Sequence, residues 1–149
     1  MFNFYPINMA LLFVLLAPSV FYEAEKQKNK GEKEAEPPKP NKTLLLLEKT
    51  GRWGVMVFFC VKYEAEKHEG LLSYLIPCIF LLLYLLVWLI LWKKPSRMRC
   101  ILLSLLASLM FLSSAVIDSN YILLLFTLMF APSHMLVSLK EEKETYING

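Results

Sequence analysis

The chain has 149 residues, 56% of them hydrophobic, with a mean hydropathy of +0.46 and a formal net charge of +3. An ordinary soluble domain is roughly 45–50% apolar even with glycine counted, and here the charges are gathered into blocks between apolar runs. This excludes a soluble fold around one large core and predicts an all-α, polytopic membrane bundle. The three cysteines, Cys60, Cys78 and Cys100, lie in or beside apolar runs with no CxxC pair. They read as packing residues and not as a disulfide or zinc framework.

The first apolar run covers residues 5–22 and contains Pro18. A secretory signal is the rival reading. No Lys or Arg precedes the run and no A-x-A site follows it cleanly, which favours a retained first span. Residues 23–42, EAEKQKNKGEKEAEPPKPNK, hold six lysines, five glutamates, three prolines and no large apolar residue. Such a stretch cannot offset the entropy of ordering, so a flexible, charged loop is expected.

Residues 43–63 are ambiguous. The uninterrupted apolar part, 53–61, is nine residues, or about 14 Å of helix. A helix lying at the interface over residues 44–47, turning at Gly51 and then crossing over about 51–63, is favoured, with Lys62 snorkelling at the far end. The alternative is an interfacial or re-entrant segment that never crosses. Residues 64–70 form a short polar loop.

Residues 71–92 are twenty-two residues without a charge, about 33 Å as a helix and enough for a hydrocarbon core of roughly 30 Å. Tyr74 near one end and Trp88 and Trp92 near the other read as interfacial aromatics, and Lys93 and Lys94 as a stop-transfer pair. A basic turn at 93–99 leads to a span over 100–117. A tight turn at Asp118, Ser119 and Asn120 leads to a last span over 121–139.

Five spans put fourteen of the sixteen Lys and Arg on one side, leaving Lys62 and Lys67 on the other. The positive-inside rule then predicts an amino terminus outside and a carboxyl terminus in the cytosol. With four spans plus one interfacial segment, both termini face the cytosol. The repeat Tyr-Glu-Ala-Glu-Lys at 22–26 and 63–67 falls on opposite sides in the first case and on the same side in the second.

Ser104, Ala107, Ser108 and Ala115 share one face of the fourth span, a small-residue surface for helix packing or for a dimer seam. In the last span Pro132 removes a backbone hydrogen bond. His134 lies about 7 Å inside the cytoplasmic boundary. An ionisable group at that depth is a functional hypothesis; the plainer reading is a neutral histidine satisfied by Ser133 or a backbone carbonyl. Glu48 and Arg52 are spaced i, i+4 as a helical ion pair. Gly51 and Gly54 beside them allow a bend and close backbone approach. Arg52 reads as an interfacial anchor or as a ligand for a lipid phosphate or anionic substrate. Asp118 reads as a turn cap. No catalytic set, cofactor motif or metal site emerges, and the basic residues sit in juxtamembrane turns, which argues against nucleic acid.

LLAPSVFYEAEK, the segment E-K-x-G-R-W-G at residues 48–54 and F-A-P-S-H-M-L-V-S at 130–138 together resemble a group of small, uncharacterised multi-pass membrane proteins of Gram-positive bacteria. The resemblance implies a bacterial plasma-membrane protein and no activity. Three functions are expected. The favoured one is a structural or accessory subunit, partnered by the bilayer and by a second copy or another membrane protein. The second is a small oligomeric transporter or channel using Pro132 and His134, in which His134→Ala abolishes a flux without unfolding the protein. The third is a lipid head-group enzyme near Arg52 and His134.

Overall fold

A computed structural model describes residues 2–29, 41–63, 70–92 and 96–147. Five helices follow one another, and each runs antiparallel to the next. They are α1 (Pro6–Asn29), α2 (Lys42–Cys60), α3 (Leu71–Leu91), α4 (Arg97–Ile117) and α5 (Tyr121–Ile147). Short strands β1 (Phe2–Phe4) and β2 (Val61–Tyr63) pair antiparallel, with Asn3 opposite Lys62. The start of α1 is thereby tied to the end of α2. Tyr5 N–H donates to the Cys60 carbonyl, and the Asn8 side-chain amide donates to Phe59 O at 2.7 Å.

α1 packs on α2 and α3, α2 on α5, and α4 on both α3 and α5. The helices therefore close a ring in the order α1, α2, α5, α4, α3. Local chemistry sets the helix ends. Asn41 caps α2 by accepting from Thr43 N, and Ser96 caps α4 by accepting from Arg99 N. Between α4 and α5, Ser119 takes a left-handed φ of 54°. Ser119 N donates to Val116 O and Asn120 N to Ala115 O, a Schellman closure of α4. Asn120 then caps α5 through Leu123 N and donates to Phe58 O, pinning the turn to α2.

The helices wear their apolar residues outward as well as inward. On α3, Ser73, Pro77, Leu81, Tyr84 and Trp88 are buried, while Leu75, Ile79, Leu82, Leu86 and Leu89 form an exposed stripe. Leu89 is 82% exposed. In water such a stripe costs free energy in proportion to its area, whereas in hydrocarbon it does not. Three helices are long and apolar enough to cross a membrane: Leu71–Leu91, Arg97–Ile117 and Tyr121–Lys140. The apolar part of α1, Pro6–Tyr22, is shorter, and α2 carries charges in its middle.

Several expectations change. α1 passes through Pro18 and continues to Asn29, so the first seven residues of the expected loop are helical. Residues 30–40 of that loop and 64–69 of the next lie outside the described residues, as do Lys93 and Lys94. α2 is one helix with no turn at Gly51, and it stops at Cys60. Trp88 is buried within the bundle; it packs against Tyr22 and Trp92 with ring centroids 5.4 Å away in each case. Its neighbour Arg99, read from sequence as one cation of a basic turn, is also buried. Arg99 Nη1 donates to Leu91 O and Trp92 O, closing the carboxyl end of α3. Its guanidinium lies 4.4 Å from the Tyr22 ring centroid. Asp118 is buried too and accepts from the Ser114 hydroxyl at 3.0 Å.

Candidate functional site

The site exists because α2 and α5 approach unusually closely. Gly51 and Gly54 both face α5. A Cβ at Gly51 would sit 2.9 Å from the backbone of Phe130, and one at Gly54 would enter the Phe126 ring. Only glycine permits this approach at these two rungs. Phe58 stacks on Phe126 one turn further along, with centroids 5.4 Å apart.

One turn in the other direction, the same packing brings Glu48 against His134. Glu48 has 4% of its side chain exposed. Its Oε1 accepts from Arg52 Nη2, the i, i+4 pair expected from sequence. His134 Nδ1 lies 3.2 Å from the same oxygen and donates to it when that nitrogen carries the proton. The imidazole stacks on Phe130, centroids 4.7 Å apart and planes 17° apart. A buried carboxylate is costly unless paired and hydrogen-bonded, and here it has two cationic or potentially cationic partners from two helices.

The partner of His134 is thus neither Ser133 nor a backbone carbonyl. Ser133 instead turns back on its own helix, donating to Met129 O and Phe130 O. Pro132 sits on the exposed side of α5, away from the cluster. Within α4, Ser104, Ala107 and Ala115 are buried inside the bundle, and Ser108 is half-buried with its hydroxyl on Ser104 O. The small-residue face is consumed by contacts within the chain.

Beside the cluster lies a cavity of about 160 Å³ to which all five helices contribute. Leu15, Val55, Phe111 and Phe130 supply apolar wall, and Ala107 a short side chain on α4. Arg52 and His134 both line it, with 47% and 27% of their side chains exposed. The other polar members are Ser19 and Tyr84, whose hydroxyls lie 3.2 Å apart. Sequence reasoning missed this α1–α3 pair, because a single serine and a single tyrosine in apolar runs carry no periodic signal. It also missed Arg99, masked by its place in a cation-rich turn.

Among the described residues, no group of three or more His, Cys, Asp or Glu gathers to hold a metal ion. The chemistry on offer is hydrogen bonding, charge pairing and proton exchange at Glu48 and His134, next to a small apolar chamber. Comparison with protein-family models, with curated proteins and with solved structures finds no match to this chain. The site is therefore read on its own geometry.

Proposed function

We propose that this chain is a five-span protein of the bacterial plasma membrane, amino terminus outside, that acts as a small transporter or channel through its central cavity. The observation that carries the reading is Glu48, a carboxylate buried between helices, bridging Arg52 and His134 at the edge of that cavity. Ionisable residues held inside membrane bundles mark ion, proton and substrate pathways. The alternating helix directions support five spans. α2 lies antiparallel along α5 from Phe58, bonded to Asn120 at one end, to Glu48 near the other. This pairing supports a crossing by α2 wherever α5 crosses, with Glu48 turned toward the interior cluster.

The accessory-subunit reading draws less support, since the small-residue face of α4, which a dimer seam would need free, packs within the chain. A single cysteine at Ala107, with the three native cysteines replaced, separates the two. Ala107 lines the cavity and is 8% exposed. In a transporter or channel, a small water-soluble thiol reagent modifies Ala107→Cys in membranes. Complete protection in membranes, with full modification after denaturation, would remove the aqueous pathway and the reading with it.

A further inference from the structure

We propose that the central cavity is a binding site for a compact organic carboxylate, an aromatic or branched acid of about seven to ten heavy atoms. This deepens the transport reading and rests on it. Three features select that chemistry. First, the size: a cavity of about 160 Å³ matches the roughly 150 Å³ that accepts a benzene ring. It is too small for a long acyl chain. Second, the walls: Leu15, Val55, Phe111 and Phe130 offer nothing for a polar body to bond. Third, the polar groups are biased toward donors. Arg52 commits Nη2 to Glu48, and among the described residues its remaining N–H groups have no acceptor. Ser19 and Tyr84 share one hydrogen bond between two hydroxyls, so one O–H stays available to a ligand.

Charge favours an anion over a neutral or cationic guest. Glu48 is already bonded to Arg52 and His134 and is nearly fully covered, so it has little reach toward a ligand cation. The partly exposed guanidinium of Arg52 presents a planar fork suited to a carboxylate. The aromatic walls then hold the body of the acid while the fork holds its head.

The same chemistry could come from a membrane fatty acid, and the test separates the two sources. The full chain in nanodiscs is titrated with 4-fluorobenzoate, 4-fluorobenzyl alcohol and 4-fluorobenzylammonium, followed by fluorine NMR, and with palmitate as competitor. Expected is saturable binding of the benzoate alone, weakened about tenfold or more by Arg52→Gln and blocked by Ala107→Met, which fills the chamber. Palmitate does not displace it. Equal binding of the alcohol or the ammonium ion, unchanged affinity in Arg52→Gln, or the absence of saturable binding would overturn the proposal. Displacement by palmitate with no benzoate selectivity would overturn it in favour of a lipid site. If Ala107→Cys is modified from water and benzoate does not bind, the ligand class fails while the pathway reading stands.

Discussion

Glu48 and His134, 86 residues apart in the chain, meet at 3.2 Å and join α2 to α5. Arg52 joins them on the same carboxylate oxygen. Removing the carboxylate takes from Arg52 and His134 their shared acceptor, so Glu48→Ala is expected to destabilise the fold by about 1–3 kcal/mol. A double-mutant cycle with His134→Ala, read by thermal unfolding in detergent, should give a coupling of roughly 0.5–3 kcal/mol. Additive losses would mean that the two side chains do not interact.

Gly54 lies against the Phe126 ring where α2 packs on α5. Gly54→Ala is expected to cost about 1–3 kcal/mol through overpacking, despite the better helix propensity of alanine. Trimming the ring in a Gly54→Ala, Phe126→Leu double variant should recover part of the loss. Unfolding midpoints of the three variants check this.

Arg99 closes α3 and covers the Tyr22 and Trp88 rings. Arg99→Met should lower stability by about 1.5–3 kcal/mol, because the carbonyls of Leu91 and Trp92 lose a charged donor. Arg99→Lys should rescue only part of it, since an ammonium lacks the planar face that stacks on rings. Tryptophan emission, shifted as Trp88 loses its cover, provides an independent readout.

Ser119 holds a left-handed conformation at the end of α4. Ser119→Gly should stabilise the protein by about 0.5–1 kcal/mol and Ser119→Val should destabilise it. The opposite order, measured by thermal unfolding, would contradict the turn geometry.

The β1–β2 ladder puts the amino terminus beside the end of α2. A membrane-impermeant label should therefore reach an amino-terminal tag and a cysteine at Glu66 from the same face of intact cells, and a cysteine at Glu34 from the other. Labelling of Glu66→Cys and Glu34→Cys from one face would show that α2 does not cross.

Sequence by itself marked the five helices, though not the full reach of α1, the unbroken course of α2 or the β1–β2 ladder, and it showed that three of them are long and apolar enough to cross a membrane. An uncharged run such as residues 71–92 has one stable form in hydrocarbon, where every backbone group must bond within its own segment. It also marked Glu48, Arg52 and His134, because charge inside apolar runs is costly wherever the chain folds. The i, i+4 spacing of Glu48 and Arg52 made their pairing legible, since both ends lie on one helix. What tertiary structure alone decided is which helices touch. The partner of His134, the inward turn of Trp88 and Arg99, the internal use of the Ser104 and Ala107 face, and the five-sided cavity all depend on the ring order α1, α2, α5, α4, α3. In helices apolar on every side, periodicity does not say which face meets a neighbour. That choice falls to the close fit of Gly51 and Gly54 against Phe130 and Phe126, a matter of shape that hydropathy does not carry.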